Sequence, residues 1–154
     1  FRVDASFDCI YSFWDSYTYL SRAEDMKAFA DQCSAHLKKG GILVLDSKNH
    51  YLRPDVTVEH RVVNTGNLRI DMLIRRESHL DDKVYEAIFT NIIHDTKTGE
   101  ARIVVDQTLA RIYDVADLQR LLQGFRLVNS YGNFNGSAFE TKGSERLIAV
   151  FQKV

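Results

Sequence analysis

A chain of 154 residues is long enough for one domain with a real core. Its composition, 45% hydrophobic and 27% charged, is that of an ordinary globular protein. A formal net charge of −1 gives no support for a nucleic-acid partner or an anionic membrane surface, and no apolar run approaches the ~20 residues of a bilayer span.

The first expected element is a strand over Phe7–Phe13, apolar on both faces, which suits a central parallel strand covered by helices. It breaks into a polar-aromatic loop, Trp14-Asp15-Ser16-Tyr17-Thr18-Tyr19. A helix follows. Ser21 and Glu24 have the spacing of a capping box, and Met26, Phe29, Ala30, Cys33 and Leu37 fall on one apolar face. Lys38 and Lys39 suit the negative end of the helix dipole, and Gly40 suits the left-handed cap. A second apolar run, Ile42–Asp46, completes a βαβ unit of an open parallel sheet. Ligands of such sheets sit at the carboxyl ends of the strands.

From about Thr57 to Tyr113 the pattern changes to alternation. Leu68, Ile70, Met72 and Ile74 share one parity, while Arg69, Asp71 and Arg75 share the other. Turn residues recur at 64–67, 80–83 and 95–99. This predicts an antiparallel meander of about four strands with one wet face, inserted into the α/β pattern. Asp114 then caps a short helix with Asp117 in place of the usual Glu, and Leu118, Leu121 and Leu122 form its apolar face before Gly124. Strands over 125–131 and 147–151, joined across Gly132-Asn133-Phe134-Asn135-Gly136, put an antiparallel pair on one edge. The expected layout is one domain over 1–154: an α/β portion at 1–52 and 114–154, and an antiparallel insertion at 53–113 that serves as lid or interface.

The two cysteines, Cys9 and Cys33, are isolated, and read as buried reduced thiols of a cytoplasmic protein. The five histidines form no ligand spacing, so no metal site is expected.

Taken in order, these elements resemble the C-terminal part of a class I S-adenosylmethionine-dependent methyltransferase of the small-molecule branch. Phe7-Asp8-Cys9-Ile10-Tyr11-Ser12 is similar to that family's fourth-strand motif. His36-Leu37-Lys38-Lys39-Gly40-Gly41-Ile42-Leu43-Val44-Leu45-Asp46 is similar to its LKPGG helix-to-strand motif, with Lys39 in place of Pro. Residues 113–122 with 124–128 look like the helix and strand before its C-terminal hairpin. Tyr131-Gly132-Asn133-Phe134-Asn135-Gly136 resembles a YGDFDG-like turn, with asparagines where acids are common.

The resemblance implies a partial Rossmann-like sheet with a β-meander insertion, S-adenosylmethionine as cofactor and a small-molecule methyl acceptor. It places Ser12, Phe13 and Trp14 against the cofactor's methionine end. Asp15 becomes the candidate hydrogen-bond acceptor or base, and Tyr17 and Tyr19 line the acceptor pocket. Asp46, Lys48, Asn49, Arg111, Tyr113, Tyr131 and Asn133 fall on the substrate side. The same residues also suit plain turn, packing and surface roles.

The largest departure is the lack of any G-x-G-x-x-G between Phe1 and Val154. The chain opens at Phe1 rather than Met, so the expectation is a truncated enzyme without its cofactor half, inactive alone and self-associating through an exposed strand edge. The alternative from a different class is a non-catalytic binding or assembly module that pairs with another chain or itself.

Overall fold

The computed structural model describes residues 3–52 and 56–154. Its elements in chain order are β1 (Phe7–Ser12), α1 (Ala23–His36), β2 (Leu37–Lys48), β3 (Val56–Thr65), β4 (Leu68–His79), β5 (Val84–Asp95), β6 (Ala101–Arg111), α2 (Val115–Leu121), β7 (Phe125–Tyr131) and β8 (Arg146–Lys153). Short 3₁₀ turns cover Ser16–Tyr19 and His50–Leu52. The chain divides into two compact units, 1–53 with 111–154, and 54–110.

The first unit is built on a four-stranded sheet of order β1-β2-β8-β7. β1 and β2 are parallel, and β8 runs antiparallel to both β2 and β7. Its core is apolar and closely defined: Met26, Ala30 and Cys33 from α1, Leu43 and Leu45 from β2, Leu118 and Leu122 from the α2 region, and Leu147, Ala149 and Phe151 from β8. These positions repeat every three or four residues in α1 and every two in β2 and β8, as helix and strand geometry require. Each full burial of a Leu, Met or Phe side chain among them contributes about 1.5–3 kcal/mol.

The punctuation of α1 differs from the sequence expectation at both ends. Arg22, not Ser21, takes the N-cap position, without a side-chain cap bond, and pairs with Asp25. At the other end β2 starts directly at Leu37. Phe7 pairs with Leu37 and Cys9 with Ile42, so the Lys38-Lys39-Gly40-Gly41 stretch forms a bulge in the ladder. Gly40 is needed there for its φ of 75°, not as a helix cap. Lys38 reaches across to the Asp8 carboxylate at 2.8 Å. The carbonyls at the end of α1 are satisfied instead by Lys153 Nζ, which donates to Ser34 O and Leu37 O at 2.6 and 2.8 Å.

β1 also differs. Among the described residues it is the edge of its sheet, and Phe7, Cys9 and Tyr11 are exposed. Cys33 is buried as expected, with its thiol pushed up to about 11 by desolvation. The short helix α2 has the expected cap. Asp117 N–H donates to Asp114 at 2.8 Å, and the Asp117 carboxylate accepts from the Asp114 N–H.

The second unit is a four-stranded sheet of order β3-β4-β5-β6. β3 and β4 pair in antiparallel register from Val56↔Glu77 to Thr65↔Leu68, and β4 and β5 from Leu68↔Asp95 to His79↔Val84. The turns fall where glycine and aspartate predicted them.

Candidate active site at the carboxyl ends of β1 and β2

Parallel pairing brings the ends of β1 and β2 together, with Ser12 opposite Leu45. The chain leaving β1 turns sharply: Trp14 and Asp15 both adopt left-handed backbone, with φ of 56° and 64°. Such conformations cost of order 1–2 kcal/mol for non-glycine residues and persist only where surrounding bonds over-determine them. Here the bonds come from β2. Trp14 N–H donates to Asp46 Oδ2 at 3.0 Å, and Asp15 N–H to the Asp46 carbonyl at 3.1 Å. The Asp15 carboxylate accepts from Lys48 N–H at 2.5 Å.

Asp46 is the centre of this junction and is fully buried. Arg146, at the start of β8, grips its carboxylate with Nε and Nη2 at 2.6 and 2.7 Å, and this pairing holds the guanidinium above its usual pKa. The guanidinium lies 5.2 Å from the Trp14 ring centre and 5.4 Å from that of Phe134. Phe13 meets Phe134 edge-on and stacks on Tyr11. Trp14 nevertheless leaves 71% of its surface in solvent. An aromatic surface backed by an ion pair therefore opens at the carboxyl end of β1.

Beyond the end of β2 lies a cavity of about 340 Å³, walled by Asn49, His50, Tyr51, Tyr113, Phe139 and Thr141 among others. Asn49 shapes it. Its amide donates to Thr141 O and Ser144 O at 2.8 and 2.7 Å, and its carbonyl accepts from Tyr51 N–H at 3.3 Å. These bonds tie the β7–β8 connection to the end of β2 and fix the turn that carries His50.

The structure scatters the other sequence candidates. Tyr17 is in the core: its hydroxyl donates to Ser47 Oγ at 2.9 Å and its ring stacks on Tyr113. The Tyr113 hydroxyl donates to the Leu20 carbonyl. Tyr19 is exposed, and Ser12 is half-buried. Arg111 and Tyr113 line a smaller hollow of about 210 Å³ with Asp117 and Arg120. Tyr131 ends β7 and bridges to Ala138. Asn133 closes its own turn, its carbonyl accepting from Asn135 N–H and Ser137 N–H. Of the substrate-side candidates, Lys48, Asn49 and Tyr113 reach the 340 Å³ cavity. His50 and Tyr51 were not among them, although their place just past a strand's carboxyl end is a usable signal. Arg146 carried no signal, because its partner is remote in sequence. Among the described residues, Glu77, His79 and Glu86 have metal-ligand spacing, but Arg75 is paired with both glutamates.

Burial lifts the Tyr17 phenol far above its usual range, aided by the Asp15 and Asp46 charges and opposed by the Ser47 hydrogen bond; burial raises Tyr113 too. The neutral form is thus favoured in the folded state. Stability from this source is intact below the unfolded pKa near 10 and is lost as pH rises above it, at about 1.4 kcal/mol per pH unit for one phenol. Urea unfolding of the wild type is expected to weaken above about pH 10, and Tyr17→Phe to flatten that decline. Equal slopes in the two proteins would contradict the assignment.

No protein-family model matches the chain, and no curated protein matches it. Solved structures do, and they define the fold. A S-adenosylmethionine-dependent methyltransferase from Clostridium acetobutylicum superposes with a TM-score of 0.72 at 17% identity, over 99% of this chain and 61% of that one. The sugar N-methyltransferase KedS8 from Streptoalloteichus gives 0.74 at 18% identity, over 97% and 58%. The CcbJ methyltransferase from Streptomyces caelestis gives 0.70 at 16% identity, over 98% and 59%. The fold is therefore α/β, a partial Rossmann-like sheet of the methyltransferase type with an antiparallel sheet inserted. The chain spans about three fifths of the length of these proteins.

Proposed function

We propose that this chain is the acceptor side of a S-adenosylmethionine-dependent methyltransferase that acts on a small molecule. The observation that carries this reading is the cavity at the carboxyl end of β2, set beside the left-handed Trp14–Asp15 turn in a β1-β2-β8-β7 sheet. The similar structures are those of methyltransferases, among them a sugar N-methyltransferase and an amino pentose methyltransferase.

S-adenosylmethionine, when bound, supplies a methyl group on a sulfonium. The exposed faces of Phe13 and Trp14 suit such a cation, because aromatic rings attract positive charge. The cavity orients the acceptor and excludes water, which is most of what an in-line transfer asks of a protein. Asp15 is a positioning residue on this reading, since its carboxylate holds Lys48 N–H. His50 stands in the cavity wall and helps to shape the acceptor pocket. The glycine-rich cofactor loop is supplied by polypeptide outside residues 1–154, so this segment alone is inactive.

The test is calorimetric titration of S-adenosylhomocysteine into this chain and into the product of the gene read about a hundred codons further upstream, a span set by typical domain size. The reading expects binding by the longer protein only. Failure of the longer protein to bind overturns it and favours an assembly module.

A further inference from the structure

Most polar side chains around the 340 Å³ cavity are already engaged by the protein itself. The Asn49 amide donates to Thr141 O and Ser144 O, and its carbonyl accepts from Tyr51 N–H. The Tyr113 hydroxyl donates to the Leu20 carbonyl, and the Asp114 carboxylate accepts from Asp117 N–H at the cap of α2. Lys48 and His50 have partners as well. Among the described residues, that leaves the side-chain hydroxyls of Tyr51 and Thr141 as the polar groups of the wall still open to a ligand. The rest of the wall is apolar: Ile112, Val115, Ala116, Phe139 and Leu147.

We infer that this cavity takes a compact, neutral, mostly apolar molecule with one or two hydrogen-bonding groups, such as an aromatic amine or a phenol, rather than a sugar or a charged acid. Calling that molecule the methyl acceptor rests on the methyltransferase reading. The preference itself follows from the wall. A hydroxyl of Tyr51 or Thr141 both donates and accepts, so either one serves an N–H or an O–H. A polyhydroxylated ligand would press its remaining hydroxyls against Ile112, Val115, Phe139 and Leu147, where they lose water and find no partner. A charged group fares no better. Lys48 and Asp114 stand in the same wall, so a ligand charge of either sign meets a like charge along with its counter-charge. The volume lies near the low end of the ~300–1,000 Å³ of ligand pockets, which fits a molecule of one or two rings.

Titration of the ¹⁵N-labelled chain by nuclear magnetic resonance tests this, with indole and glucosamine as probes. Indole is expected to shift the amides of Tyr51, Val115 and Phe139 with a dissociation constant of about 1 mM or tighter, and glucosamine to bind at least about tenfold more weakly. Ala116→Phe fills the cavity from α2 and is expected to abolish the indole shifts. Tyr51→Phe with Thr141→Val keeps the shape, removes both hydroxyls and is expected to weaken indole at least about threefold. Glucosamine binding as tightly as indole overturns the inference. So does an absence of indole binding, indole shifts that survive Ala116→Phe, or a double variant that binds indole as well as the wild type. Should Ala116→Phe fail to fold, nuclear Overhauser contacts of indole with the Ala116 methyl and the Phe139 ring in the wild type carry the same test, and contacts confined to other residues overturn it. The enzymatic reading stands or falls on S-adenosylhomocysteine binding by the longer protein, so either can fail alone.

Discussion

Replacing Arg146 by Met is expected to lower the free energy of unfolding by about 3–5 kcal/mol, because a charge is left buried without its partner. Asp46 is wholly buried, and Arg146 keeps only 12% of its side chain in solvent. Removing the guanidinium leaves the carboxylate with the Trp14 N–H donating at 3.0 Å. Asp46→Leu strands the guanidinium in the same way. The double variant, Asp46→Leu with Arg146→Met, recovers most of the loss, since an apolar pair of similar volume needs no compensation. Denaturant unfolding of the three variants measures this, and single-variant losses under about 1 kcal/mol would show that the pair is solvent-screened. Trp14, the chain's one tryptophan, gives a second readout. Its ring lies over the guanidinium, so its emission and its quenching by acrylamide change when Arg146 goes.

The second large effect is expected at Gly132. A Cβ there would lie 2.1 Å from Ser144 Oγ and 2.7 Å from Ser144 Cβ, closer than real atoms approach. Gly132 also donates to Ser137 O at 2.8 Å and accepts from Arg146 N–H at 3.1 Å, so its backbone has little room to yield. Gly132→Ala must displace Ser144, whose hydroxyl accepts from Glu140 N–H and whose carbonyl accepts from Asn49. The cost is about 1–3 kcal/mol, the range for overpacking a buried site. The cavity wall at Phe139 and Thr141 moves with it. On the proposed methyltransferase reading, the upstream-extended protein is expected to show a KM for the acceptor raised about tenfold with affinity for S-adenosylhomocysteine unchanged. Adding Ser144→Gly removes the clashing atoms and is expected to restore both stability and KM. No rescue by Ser144→Gly would mean that the glycine is required for some reason other than space.

Much of the fold was legible because it is written locally. β7 occupies the residues that its apolar run marked, and the Asp114–Asp117 cap forms as its spacing implies. The four meander strands and their turns follow from alternation and turn residues. Errors arose where a local signal had a non-local competitor. Gly40 reads as a helix stop, yet the ladder to β1 continues through it as a bulge. The Lys38-Lys39 pair reads as a dipole partner, yet the helix end is served by Lys153 from the far end of the chain.

The candidate site shows the same division. Position at a strand's carboxyl end marked the Trp14–Asp15 turn and Asn49 as candidates. It was not enough to tell that Tyr17 is core, that Asp15 is a backbone acceptor, or that Asp46 belongs to Arg146. By itself the sequence determined the order and type of the elements, since periodicity and capping act over a few residues. Only the tertiary structure decided which polar side chains are consumed in bonds and which stand in the cavity wall. Those outcomes depend on partners brought together across the chain, and no spacing along the chain encodes that distance.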